Sequence, residues 1–181
     1  MPQYVAFLRA INVGGHIVKM DALRRMFETL GLANVQTFIA SGNVLFDAPA
    51  KNPATLETQI ETHLKGALGY EVATFLRTPD EVIAAVAHSA FPAGDMAATS
   101  VMYVGFMRNA LDAAALGKLM ALANDIDHFQ VHGRELYWLA HRHLGESPVT
   151  GARLERTLQA PLTLRNITSV RKLAAKHFGG Q

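Results

Sequence analysis

The sequence predicts an α+β fold built from two plait-like halves, and three observations carry this. Short β-type runs and helical runs alternate in the order β–α–β–β–α–β over the first eighty residues, then restart in the same order near residue 100. Helix boundaries are marked by strong caps. Half of the 181 residues are hydrophobic and 18% are charged, enough apolar surface for a packed core.

Taken in order, residues 4–9 form a strand that is apolar on both faces, with Tyr4, Ala6 and Leu8 against Val5 and Phe7. A helix follows over about 20–30, with Met20, Leu23, Met26, Phe27 and Leu30 at helical spacing and Gly31 as its stop. Residues 35–40 and 43–47 are β-type runs joined through Ser41-Gly42, a hairpin signal. Asn52-Pro53 opens a second helix with a cap and a proline in the first turn. Its stripe is Leu56, Ile60, Leu64 and Leu68; Gly69 ends it, and 71–76 is a fourth strand. This is the order of a ferredoxin-like plait. Thr78-Pro79-Asp80-Glu81 is a capping box for a third helix through about His88.

Phe91 to Ser100, with Pro92 and Gly94, reads as a linker, giving subdomains 1–90 and 100–181. The second half continues with a strand at 100–107, an alanine-rich helix at 110–123 and strands around Gly133-Arg134. Helices follow at 151–159 and 166–177. Its order is βαββαα, an incomplete plait lacking the last strand. The halves match in order but not in residues. Asp125 and Asp127 read as turn residues, and Phe129, Tyr137 and Trp138 as core.

Several function classes are excluded or disfavoured. The chain has no cysteine, so disulfides, thiol catalysis and zinc–thiolate sites are absent. No apolar stretch approaches the ~20 residues needed to cross a bilayer. The N-terminus lacks the basic start and cleavage site of a signal peptide, so a cytoplasmic protein without membrane attachment is expected. The isoelectric point is near 9.0, yet the formal charge is only +2. That is a weak electrostatic footprint for duplex DNA.

The chemistry-bearing stretch is residues 8–20, LRAINVGGHIVKM, between the first strand and the first helix. In a right-handed β–α–β crossover the first two strands run parallel. The loop from Arg9 to Lys19 and the Ser41-Gly42-Asn43 turn should therefore meet at one sheet edge. Glycines allow backbone N–H groups to approach a ligand, and helix starts present free N–H groups with partial positive charge. Arg9 offers a planar fork for phosphate or carboxylate, and Ser41 and Asn43 are neutral donors. The plainer alternative is a tight turn at Gly14-Gly15 braced by Asn12. No dinucleotide fingerprint or phosphate-loop lysine motif is present.

These residues also resemble a known family. LR-x-INVGG (Leu8–Gly15), a helix led by Met20, T-x-x-x-SGNV-x-F (Thr37–Phe46) and T-x-RN-x-x-x-V-x-KL (Thr163–Leu173) together resemble the bacterial domain of unknown function 1697. The resemblance implies a small cytoplasmic protein of paired α+β subdomains with no settled activity. Ala10 stands where it implies a glycine, Ile167 where an aromatic residue follows Arg-Asn, and Pro148 where a lysine follows Ser147. It also draws attention to Arg165 and Asn166, the latter a helix cap; Arg9 and Arg165 are expected to line one cleft between the halves.

The expected function is binding of a small anionic metabolite, phosphate-bearing or nucleotide-like, by Arg9, Asn12, Gly14, Gly15, Ser41, Asn43, Arg165 and Asn166. His16 and Lys19 are candidate proton carriers, but no reaction is assigned and no cofactor motif is present. An RNA-binding module that stacks bases on strand aromatics is the alternative, and a protein-interaction domain without ligand is a third. His141 and His143 with Glu146, and His128 with His132, share strand faces, but neither set amounts to a metal site. Ser169 and Lys172 match S-x-x-K without companion motifs. Nothing in the sequence sets an oligomeric state.

Overall fold

The computed structural model describes residues 1–49, 52–97, 99–141 and 146–179. The chain divides into two compact units, Met1–Val82 and Ile83–Gln181. The division falls inside the third helix, ahead of the Phe91–Ser100 stretch.

The first unit contains β1 (Gln3–Leu8), α1 (Met20–Thr29), β2 (Ala33–Phe38), β3 (Asn43–Asp47), α2 (Pro53–Leu68), β4 (Thr74–Arg77) and the start of α3 (Pro79–Ala87). Its sheet has the order β2-β3-β1-β4, with every neighbouring pair antiparallel. That is the order of a ferredoxin-like plait. Helices α1 and α2 each carry an apolar stripe, and α2 also has a side-chain cap. Asn52 accepts from the Ala54 N–H at 3.0 Å. Leu23 and Phe27 of α1, with Leu56, Ile60 and Leu64 of α2, bury against Ala6, Leu8, Val44, Phe46 and Leu76. The capping box forms as well: the Thr78 N–H donates to Glu81 Oε2 at 2.8 Å, and the Glu81 N–H to Thr78 Oγ1 at 3.3 Å. The opposite sheet face, with Val5, Phe7, Leu45 and Phe75, is fully buried too, as is Arg77.

The second unit contains β5 (Val101–Met107), α4 (Ala113–Met120), β6 (Asp127–His132), β7 (Glu135–Ala140), α5 (Gly151–Leu158), β8 (Leu162–Asn166) and α6 (Ile167–Phe178). Its sheet order is β6-β7-β5-β8. The incomplete plait expected from sequence is therefore corrected: β8 is the final strand, and both halves run βαββαβα. Sequence patterning missed β8 because it is only five residues long and runs directly into α6 at Ile167. Thr163 and Arg165 are buried beside Leu162, with Leu164 partly buried.

Register then shows that the central strands of the two halves match in residues. Val5 pairs with Arg77 and Val104 with Arg165; Tyr4 pairs with Phe46 and Tyr103 with Trp138. The Leu8 N–H donates to the Gly42 carbonyl and the Met107 N–H to the Arg134 carbonyl. Tyr4-Val5-Ala6-Phe7-Leu8-Arg9 thus superposes in register on Tyr103-Val104-Gly105-Phe106-Met107-Arg108.

The units also close one sheet edge in the same way. On β4 the outward N–H groups of Thr74 and Leu76 donate to Glu61 and Glu57 of α2, at 2.8 and 2.9 Å. On β8 the Leu162 N–H donates to Glu155 of α5 at 3.0 Å. A carboxylate on the covering helix therefore satisfies strand groups that would otherwise be open to another chain.

Candidate functional site

The two loops expected to meet at the β1–β3 edge do so. The Leu8 N–H bonds to the Gly42 carbonyl at 2.9 Å and the Arg9 N–H to the Ala73 carbonyl at 2.9 Å. Asn12 Nδ2 donates to the Ala40 carbonyl at 2.9 Å, and Asn12 Oδ1 accepts from the Val18 N–H at 2.6 Å. Asn12 is thus the brace that joins the long loop to the hairpin. Asn43 is buried and plays a similar part: its amide donates to the Phe38 carbonyl and to Ser41 Oγ, at 3.1 and 3.0 Å.

Tyr70 completes the anchorage, and nothing local in the sequence marks it. Its hydroxyl donates to the Ile11 carbonyl at 2.9 Å, and its ring stacks on His16 with centroids 3.9 Å apart. Ile11 itself is buried. Between these anchors the loop is held in unusual backbone conformations. Gly14 and Gly15 have φ of +68° and +85°, and Ala10 and Ile39 have φ of +57° and +52°. The left-handed region is costly for a residue with a Cβ, so Ala10 holds a conformation that a glycine would adopt without that cost.

The loop's outer side is open. Gly14, Gly15, His16, Lys19 and Ser41 are exposed, and Arg9 is partly buried. No neighbouring atom lies within 4 Å of a Cβ built on either glycine. Lys19 takes the N-cap position of α1 without a side-chain cap bond. Val13, Ile17 and Ile39 stand 62%, 88% and 48% exposed on the same two loops.

Arg165 and Asn166 lie in the second unit. Arg165 is only 8% exposed, and its guanidinium donates to Thr163 Oγ1 at 2.7 Å and the Leu164 carbonyl at 3.0 Å. Burial lowers its pKa to about 10. Arg77 is its counterpart in the first unit, donating to the Leu76 carbonyl at 2.8 Å. Asn166 caps α6, accepting from the Thr168 N–H at 2.9 Å.

Asp127 is not the turn residue expected from sequence. It sits fully buried in β6, where its carboxylate accepts from Trp138 Nε1 at 2.8 Å and Asn124 Nδ2 at 2.9 Å, with Ser147 Oγ 2.8 Å from both oxygens. A lone Asp beside a polar stretch carries no mark of this role. Of the histidine sets, His143 lies outside the described residues. His132 stacks on His88 with centroids 4.3 Å apart, and His128 meets His141 edge-on at 4.9 Å. Among the described residues no group of three or more carboxylates and histidines is placed to hold a metal ion. No helix among them is long and apolar enough to cross a membrane.

The fold thus defines an α+β protein made of two ferredoxin-like units, one with an elaborated loop at its β1–α1 junction. The chain belongs to the family described as a protein of unknown function, DUF1697, whose model matches residues 1–137. Among solved structures it is similar to the conserved bacterial protein SP0830 from Streptococcus pneumoniae, at 22% identity and a TM-score of 0.75. That match covers 97% of this chain and 98% of the other. No curated protein matches the sequence.

Proposed function

We propose that the first unit binds a small anionic ligand, phosphate-bearing or nucleotide-like, at the face formed by the Arg9–Lys19 loop and Ser41. One observation carries this reading: the β1–α1 connection of the first unit is more than twice as long as its counterpart in the second. From β1 to α1 the chain takes residues 9–19, whereas the equivalent β5–α4 connection takes only residues 108–112. The short connection ends in Asp112, whose carboxylate caps the Ala115 N–H at 2.7 Å. The long one ends in Lys19, without such a cap, behind two exposed left-handed glycines.

Ile11 and Val18 anchor the loop in the core, but Val13 and Ile17 between them are exposed, and ordering such residues costs roughly 1–2 kcal/mol of backbone entropy each. A loop kept at that cost, beside uncapped helix N–H groups, suits an acceptor-rich anion. In this reading Arg9 and Lys19 supply charge, the Gly14 and Gly15 backbone and Ser41 donate hydrogen bonds, and Asn12 and Asn43 hold the loops together. Arg165 and Asn166 have structural work at the β8–α6 junction. The RNA alternative needs exposed strand aromatics, and Phe7, Phe46 and Phe75 are fully buried.

The test is thermal denaturation with pyrophosphate, AMP and ATP, run beside Arg9→Ala and Ser41→Ala. A compound at 100 times its Kd adds about 2.7 kcal/mol to the parent protein, and the variants should lose most of that shift. Absence of stabilisation by all three compounds, or equal stabilisation of the variants, would overturn the reading.

A further inference from the structure

We infer that His128 and His141 form a binding site for a divalent transition-metal ion on the second unit. The observation is geometric. The register pairs Asp127 with Ala140 and His128 with Leu139, so His141 continues past β7 as a diagonal neighbour of His128 on the same face of the ladder. Asp127 and Ala140 point to the opposite face, into the helix-covered core with Trp138. The two imidazoles face away from that core, with centroids 4.9 Å apart and planes at 75°. An ion about 2.1 Å from one nitrogen of each ring, at a near-tetrahedral angle, requires centroids roughly 5 Å apart. The pair has that spacing, and rotation of the exposed His128 ring about its Cβ–Cγ bond can turn a nitrogen toward the ion.

His141 is also oriented from behind. Its Nδ1 lies 2.9 Å from Ser100 Oγ, which accepts from the Ala97 N–H at 3.1 Å. The His141 N–H donates to the Ile126 carbonyl at 2.9 Å, and its carbonyl accepts from Thr99 Oγ1 at 3.3 Å. A hydroxyl on one ring nitrogen fixes which nitrogen is presented outward, as second partners do for metal-bound histidines. His141 would therefore coordinate through Nε2. His128 is exposed and His141 partly so, leaving an open approach.

The second histidine pair provides a contrast within the same unit. His88 and His132 have centroids 4.3 Å apart but planes only 18° apart. Stacked rings aim their in-plane lone pairs along parallel planes, so they do not converge on one ion. Two imidazoles without thiolate or carboxylate suit Cu²⁺, Ni²⁺ or Zn²⁺ rather than Mg²⁺ or Ca²⁺, with water completing the shell.

The experiment titrates the untagged full chain with Cu²⁺ and Zn²⁺, following heat and the nitrogen splitting in the Cu²⁺ electron paramagnetic resonance spectrum. One ion per chain with two coupled nitrogens is expected. Binding should weaken at least tenfold in His128→Gln and in His141→Gln, and severalfold in Ser100→Ala. His88→Gln and His132→Gln should bind as the parent does. Circular dichroism melts of each variant separate loss of the site from loss of the fold. Absence of saturable binding, or binding unchanged in the folded His128→Gln and His141→Gln variants, would overturn the assignment.

Discussion

A Cβ placed on Gly42 would lie 2.7 Å from Ile11 Cγ2 and 3.2 Å from Leu8 Cβ, at a φ of +79°. Gly14 shares the left-handed φ, at +68°, but has open space around it. The two glycines of the same loop pair therefore separate two effects, backbone preference and steric closeness. Gly14→Ala should cost about 1–2 kcal/mol, the backbone part alone. Gly42→Ala should cost more, since Ile11 and Leu8 must also move within a packed core. Urea denaturation of both variants checks the order, and equal losses would show that the Ile11 contact relaxes freely. Ile39 is the opposite case: a β-branched residue at a φ of +52°, where strain is held by the Asn12–Ala40 bond beside it.

Among the elements, β4 depends on α2 for more than apolar cover. Glu57 is almost completely buried, and its carboxylate accepts from the Leu76 N–H at 2.9 Å. Glu57→Ala would leave that N–H without its acceptor in the interior, at a cost of about 1–3 kcal/mol. Urea denaturation should show the loss, while Glu28→Ala, on the exposed side of α1, should change little. An unchanged midpoint for Glu57→Ala would mean that the strand edge finds another acceptor.

Most elements were legible in the sequence, β1 and β5 among them although both are buried on their two faces, and β8 was the exception. Caps and stripes placed α1, α2 and α3 to within a residue or two, because Asn52, Thr78 and Glu81 act locally. β8 escaped because its register is set by β5 and its edge by Glu155, partners far away in sequence. The junction of the Arg9–Lys19 loop with the hairpin could be read from element order alone. That Asn12 and Asn43 brace it, and that Tyr70 pins it, could not, since those bonds connect positions as much as 59 residues apart.

For the molecule as a whole, one pH-dependent contribution to stability comes from His177. Burial, followed by the neighbouring Lys176 charge, lowers the pKa of His177 near the end of α6. With its folded value below that of the unfolded chain, the unfolded state takes up the proton first. The associated stability is complete above about pH 6.5 and declines as pH falls through the folded value. Denaturation midpoints followed from pH 8 to 5 should fall in the parent and fall less in His177→Gln. Parallel curves would assign the acid sensitivity to other groups.

Two nearly interchangeable central strands also bear on how the chain reaches its native state. YVAFLR and YVGFMR carry the same aromatic, branched and basic residues at the same pairing positions, so each is a plausible guest in the other's sheet. During synthesis the first sheet can close before the second guest exists, because β4 ends at Arg77 and β5 begins at Val101. Refolding from denaturant removes that head start and sets the two strands in competition for one slot. Order of emergence then favours each strand's own sheet.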